Sequence, residues 1–441
     1  MQDGWLRVTA ETCSAISNKY VYPVLMSIQL ELFEELSSYC YALIVFSTLE
    51  FISLSVRNKC LVPKKYRAFS SFSMATTKSN PPAIQLPQDH YAHPKAPSEW
   101  WWHIGTLTTL NQDRTFGFEV NATNAAGFNI SFTQIMITDV QNQGHYQNTK
   151  TFPSDPKWAE SDSSKPWYVK LGTPGSSGAV SMTASSMDIT FMTISGACTD
   201  LETSTSISIN LEIHQEGPPL LVFGTGVKLD VNPHGTDPLS RNNYYYSFTR
   251  LSTKGSITIG SEAFDVMGVT WMDHEYGAFP NKFNWALQDA TLSNGIQLSS
   301  FSIPDSLITV GLSFASFVSI LWPDGTSTFE RSVTTALNPT WQSQFPTPAE
   351  GITYFTQFKV EIPKLDVTLL FNALLPNQEF AQQGTKNPTV WEGIAVVEGS
   401  FTGKMVTGTA WIEQDFWKLS AANLVGGRAS FVDMGRHKQA I

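Results

Sequence analysis

From Trp100 onward the chain runs as short apolar stretches of β-branched and aromatic residues. They are separated by turn-forming clusters such as Asn111-Gln-Asp, Gly175-Ser-Ser-Gly, Asn232-Pro-His-Gly and Pro323-Asp-Gly. No long window carries a 3.6-residue apolar period, and long helices do not alternate with the strands, which argues against a parallel α/β sheet. The pattern predicts an all-β protein built as a barrel or a sandwich.

An internal repeat sharpens that prediction. Gly268-Val-Thr-Trp271-Met-Asp273-His-Glu275-Tyr276 lines up with Gly408-Thr-Ala-Trp411-Ile-Glu413-Gln-Asp415-Phe416, both reading Gly-x-x-Trp-aliphatic-acid-x-acid-aromatic. The segments opening at Glu99-Trp100-Trp101-Trp102-His103 and at Asn284-Trp285 match more loosely. Two related β units are expected, residues 86–278 and 279–441, preceded by a lead-in over 74–85.

Residues 1–73 do not fit either unit. Charged side chains make up 15% of the 441 residues and aromatics 12%, and the net charge is −10. Such a chain can bury a large core, and without a basic run it offers no surface for nucleic acid. Three of the four cysteines (Cys13, Cys40, Cys60) fall in the first 73 residues, leaving the main body with Cys198 and no disulfide framework or cysteine metal site. Tyr39 to Val56 is apolar apart from Glu50 and is followed by basic residues, the reverse of a secretory signal. It reads first as a gene-model extension ahead of a start at Met74, second as a signal anchor and third as a folded element. A membrane is a partner only if residues 39–56 form a real span. A start at Met74 implies a cytoplasmic protein, whereas the sequons at Asn121 and Asn129 matter only on a secretory route.

The candidate chemistry follows from strand alternation. Trp271, Asp273 and Glu275 share one face of an extended strand, and Met272, His274 and Tyr276 share the other. If the first face meets an apolar barrel interior, desolvation raises one acid and leaves a neutral proton donor beside a charged acceptor. The alternative is that both acids face solvent or pair with Arg241 or Arg250. Glu413 and Asp415, their counterparts in the second unit, read as structural remnants. Glu99, Trp101 and His103 share a face that fills a core or contacts a ligand, and the same choice holds for Tyr244-Tyr245-Tyr246-Ser247 and for Trp391. Tyr245 adds a hydroxyl donor, Tyr246 and Trp285 add aromatic wall, and Arg250 is expected on the face of Tyr244, Tyr246 and Phe248. Asp89-His90-Tyr-Ala-His93 has a metal-like spacing, but it lies in a Pro-rich lead-in without a visible third ligand and reads as a solvated loop. No metal and no cofactor is expected, and the common hydrolase, phosphate-loop and dinucleotide motifs are absent from the sequence.

Taken together, Glu99-Trp100-Trp101, Gly105-Thr-Leu107, Phe116-Gly-Phe118, Tyr245-Tyr246-Ser247, Trp271 to Glu275 and Trp391-Glu-Gly to Gly399 resemble the motifs of the carotenoid 1,2-hydratase and AttH-like family of double-lipocalin proteins. The resemblance spans about residues 90–418. It implies two calyx-like barrels packed together, with substrate held in the first barrel or between the two and no redox cofactor or metal. It implies an enzyme of specialised metabolism acting on an apolar terpenoid or polyketide, by Diels–Alder-type cyclisation first and by hydration of an alkene second. A lipocalin-like carrier is the rival from another class. On this reading Asp273, Glu275 and Tyr245 are catalytic, with Trp271 standing where the hydratases carry Tyr. Glu99, Trp101, His103, Tyr246, Trp271, Trp285 and Trp391 line the substrate.

Overall fold

The computed structural model describes residues 83–185, 187–279, 284–302, 311, 313–343, 352–380 and 390–416. The expectations for residues 1–73 and for most of the lead-in fall outside these residues. All described residues belong to one compact unit. Among them no helix is long and apolar enough to cross a membrane.

Two antiparallel sheets account for nearly all of the fold. The first contains β1 (Ser98–Thr109), β2 (Thr115–Ala125), β3 (Ile130–Asp139), β4 (Gly144–Pro153), β5 (Tyr168–Leu171), β6 (Ala179–Ala184), β7 (Phe191–Thr199), β8 (Ser206–Gln215), β9 (Leu220–Leu221), β10 (Val227–Lys228), β11 (Asn243–Ile259) and β12 (Glu262–Gly277). The second contains β13 (Trp285–Leu292), β14 (Gln297–Ser302), β15 (Ser313–Leu321) and β16 (Ser327–Leu337). After the small hairpin of β17 (Trp341–Gln342) and β18 (Thr353–Tyr354), it continues through β19 (Gln357–Ile362), β20 (Val367–Ala373), β21 (Glu379–Phe380), β22 (Val390–Phe401) and β23 (Lys404–Asp415).

The first sheet runs β4-β3-β2-β1-β12-β11-β8-β7-β6-β5 and curls into a nearly closed barrel. The second closes on itself where β20 pairs with β22. Closure leaves few unpaired edges and gives each strand an inside and an outside. The inside of the first barrel holds Trp101, Leu107, Phe118, Tyr246, Phe248 and Met272, and the inside of the second holds Leu298, Phe358, Phe371, Trp391 and Ile412. A third apolar cluster joins the outer faces of the two barrels through Ile104, Met136, Trp271, Phe380, Ile394 and Trp411. The barrels touch closely there, since a side chain at Gly117 would come within 2.7 Å of Ile394.

The repeated glycines have a spatial cause. A Cβ at Gly268 would lie 2.0 Å from the carbonyl of Thr106, and one at Gly408 would lie 2.1 Å from that of Thr291. At both places the long strand crosses its neighbour too tightly for any side chain, so the Gly-x-x-Trp motif marks the same close crossing in each barrel.

A β-bulge corrects one expectation. The pairing of β11 with β12 shifts between Phe248 and Leu251. Residues beyond the bulge change face, so Tyr244, Tyr246 and Phe248 point inward while Arg250 is exposed and pairs with Glu216. Arg241 pairs with Asp230 at the surface. Neither arginine therefore reaches Asp273 or Glu275.

A candidate active site between the barrels

Strand β12 presents its two faces to two compartments. Met272, His274 and Tyr276 point into the first barrel, while Trp271, Asp273 and Glu275 point outward against the second. The two acids thus face the layer between the barrels, not the barrel interior considered from the sequence. Register fixes their donors, because Ser247 lies opposite Asp273 and Tyr245 opposite Glu275 on β11. Asp273 Oδ1 accepts from Ser247 Oγ and from Trp271 Nε1 at 2.8 Å, and the Tyr245 hydroxyl is near enough to the same carboxyl to favour its charged form. Glu275 Oε1 accepts from Asn243 Nδ2 at 2.8 Å.

The second barrel brings further acids to the same layer. Glu413 on β23 accepts from Trp285 Nε1, and Glu392 on β22 accepts from Trp411 Nε1 at 2.6 Å. Asp289 on β13 and Glu119 on β2 are also buried there. Glu275 and Glu413 are only partly buried. Among the described residues no ion pair reaches any of these acids; Lys228 exerts a weak pull on Glu275 alone.

Their protonation follows from that imbalance. Burial lifts Asp273 to about 6, against the downward pull of Ser247, Trp271 and Tyr245. Burial lifts Glu275 to about 8, with Asn243 opposing it and the charges of Asp273 and Glu413 adding to it. Glu413 is likewise raised to about 8, by burial and by Asp273. Asp289, Glu119 and Glu392 are held well above the usual carboxylate range, again chiefly by burial. At neutral pH the layer therefore combines an ionised Asp273 with neutral, proton-bearing neighbours. A small cleft opens onto this layer, lined by Ile104, Thr249, Val269, Trp271, Asp289 and Trp411 among others.

The residues singled out from the sequence divide between compartments. Tyr245, Trp271, Asp273, Glu275 and Trp285 meet in the layer. Glu99, Trp101, His103 and Tyr246 lie inside the first barrel instead, where Trp101 stacks on His274 at 4.3 Å and Tyr246 bonds both His90 and His274. Both ring nitrogens of His103 lack a partner among the described residues. Trp391 fills the core of the second barrel and donates to the Pro376 carbonyl at 2.9 Å.

Glu413, expected from the sequence to be a structural remnant, lies in the same layer as Asp273. One further expectation is corrected. The Asp89-His90-Tyr-Ala-His93 segment is no solvated loop, because a 3-10 turn over Gln88–His90 buries His90 completely and brings His93 against Glu99. Of the two sequons, Asn121 is buried and bonded to Gln134, while Asn129 is exposed. Sequence reasoning also passed over Asp289 and Glu119. The available signal was a lone acid inside an otherwise apolar strand, as in Phe116-Gly-Phe-Glu119-Val and Ala286-Leu-Gln-Asp289-Ala.

The family model described as AttH-like matches residues 77–414. Among solved structures, an AttH protein from Nitrosomonas europaea covers 76% of this chain and 97% of its own, with 19% identity and a TM-score of 0.58. Kievitone hydratase from Nectria haematococca covers 76% and 93%, with 14% identity and a TM-score of 0.58. CghA with Sch210972 is looser, covering 73% and 89% at 10% identity and a TM-score of 0.34. No curated protein matches the chain. The Nitrosomonas europaea and Nectria haematococca structures share the two-barrel fold with it.

Proposed function

The chain belongs to the AttH-like family, and on that premise we propose that it is an enzyme that transfers protons to and from an alkene of an apolar terpenoid or polyketide in the layer between its barrels. Water addition, or its reversal, is the reaction the geometry supports best. The observation that carries this reading is the pairing of Asp273, fixed by Trp271 and Ser247 and the first of these acids to ionise, with Glu413, fixed by Trp285 and still holding its proton.

Hydration needs an acid to protonate carbon, a surface that steadies the cation, and a base that takes a proton from the attacking water. Glu413 or Glu275 supplies the first proton. The indole faces of Trp271 and Trp411, which line the cleft, stabilise positive charge as it forms. Asp273 accepts the proton released as water bonds to the neighbouring carbon. The cycle closes when that proton returns through the layer, and Glu392, which interacts electrostatically with Glu413, adds a further carboxyl to the path. That a protein of this fold is a kievitone hydratase makes water addition the reaction to test first.

One observation favours a second reading. The cleft is walled by Trp271 and Trp411, whose indoles offer flat apolar faces against which a diene and a dienophile could be held together, and the Trp271 Nε1 donor ties that wall to Asp273. Proximity of this kind lowers barriers by about 7–11 kcal/mol.

The deciding experiment incubates the purified protein with a panel of isoprenoid and polyketide alkenes in deuterium oxide. Hydration gives a product that has gained one water and one carbon-bound deuterium, and Asp273→Asn abolishes it. Cyclisation gives a product of unchanged mass and carbon-bound deuterium content, which Asp273→Asn only weakens. Tight binding without product, unchanged in Asp273→Asn, would identify a carrier and overturn the catalytic reading.

A further inference from the structure

On the face of β12 opposite the acids, three potential ligand atoms converge that the proposed reaction does not use. His93 Nδ1 lies 2.7 Å from Glu99 Oε1, and His274 Nε2 lies 3.0 Å from the same oxygen. All three atoms fall within 4.8 Å of one another. We propose that His93, Glu99 and His274 form a binding site for one divalent transition-metal ion of the zinc class, at the end of the first barrel where β1 begins and β12 ends.

The spacing suits such an ion. Bonds of about 2.0–2.2 Å place tetrahedral or octahedral ligand atoms about 3.0–3.5 Å apart. The two nitrogen–oxygen separations need to open by only a few tenths of an ångström, and the two imidazoles already present ligand atoms within 4.8 Å of each other. Two imidazoles and one carboxylate form a donor set suited to first-row divalent ions and leave room for an exogenous ligand.

The surroundings give an independent reason. An imidazole that binds a metal through one nitrogen is held in place by a hydrogen bond from the other. Both histidines are placed this way: His93 Nε2 lies 3.5 Å from Asp89 Oδ1, and His274 Nδ1 lies 3.2 Å from Tyr246 Oη. Tyr246 is itself fixed by His90 Nδ1 at 2.6 Å. Packing sets the ring planes, since His93 stacks on Tyr276 at 3.7 Å and His274 on Trp101 at 4.3 Å. The way in is through His93, whose side chain is 15% exposed while that of His274 is fully enclosed. A bound ion would tie the lead-in to β1 and β12 at one point, clamping the stretch of β12 that carries Asp273 and Glu275 on its other side.

The test uses the full-length protein, stripped with a chelator and titrated with Co2+ and then Zn2+. The expected result is one Co2+ per chain, visible d–d absorption from an ion with nitrogen and oxygen ligands, displacement by one equivalent of Zn2+, and a rise in Tm on Zn2+ addition. His93→Gln, a change at the partly exposed ligand, should abolish the absorption, and Asp89→Asn should weaken binding about ten- to a hundredfold by releasing the His93 ring. The exposed His234→Gln should bind as the parent does. Absence of both absorption and Tm shift in the parent overturns the proposal, as does equal binding by His93→Gln. If His93→Gln does not fold, unchanged affinity in Asp89→Asn overturns it instead. Asp273→Asn should bind Co2+ normally, so the metal site and the proposed reaction stand or fall separately.

Discussion

Glu99 and Asp273 are both buried carboxyls on adjacent strands, and each accepts more than one hydrogen bond, yet they are shifted in opposite directions. Desolvation pushes both upward. At Glu99 the bonds and charges of His274 and His93 outweigh it and hold the group below its ordinary value. At Asp273 the donors are a serine, an indole and a phenol, all neutral, and desolvation wins. Burial alone therefore does not decide whether an acid in this protein carries a proton; the charge that its donors can bear does. The interior of the first barrel is a place for fixed charge, with His93 raised to about 9 by Asp89 and Glu99 in spite of its burial. The layer between the barrels instead holds acids that burial pushes toward the neutral form.

The strongest way to break this contrast is to remove the base from the layer. Asp273→Asn keeps the shape and the hydrogen bonds, and should lower turnover about 10²- to 10⁴-fold with little change in Tm, as expected for loss of a positioned acid–base group. A large fall in Tm with turnover intact would assign Asp273 to structure. On the other face, His274→Ala strips Glu99 and Tyr246 of a partner and should cost about 3–5 kcal/mol of stability. Urea denaturation measures it, and Glu99→Gln placed on top should recover part of the loss, because the stranded charge is gone.

A third change reads the layer through pH. Glu413 rises from an ordinary 4.5 to about 8, so it binds its proton more tightly folded than unfolded. Its contribution to stability is complete below 4.5 and is lost as pH climbs through about 8. Glu413→Gln should therefore be stabilised relative to the parent by a margin that grows over that range, as followed by Tm. A margin independent of pH would mean that Glu413 is already ionised. The same acids predict a bell-shaped rate profile, rising as Asp273 ionises near 6 and falling as Glu413 and Glu275 lose their protons near 8. The smallest effect belongs to Ser247→Ala. Losing one neutral donor, worth about 0.5–1.5 kcal/mol, should move the rising limb to higher pH by about a unit or less.

Much of the fold was legible because alternation and turn residues are local. The repeat around Trp271 and Trp411 announced two barrels, and the grouping of Trp271, Asp273 and Glu275 needed only the two-residue period of a strand. Which of the two faces looks inward was not legible, since it depends on how the sheet curls and on what packs outside it. For the same reason the surroundings of Glu413 were not legible: they come from a partner barrel that no local pattern reveals. The third ligand beside His93 was hidden similarly, because Glu99 and His274 reach it only through the pairing of β1 with β12. The bulge that turns Arg250 outward leaves no mark in a run of otherwise ordinary strand residues.

The alternation along β12 also limits how this protein can vary. Neighbouring positions from Trp271 to Tyr276 serve opposite compartments, so inserting or deleting a single residue there would turn the acids into the barrel and His274 out into the layer. Both sites would be lost in one step. Descendants of this chain can retune either side by substitution, but the length of that stretch is fixed by the two sites that share it.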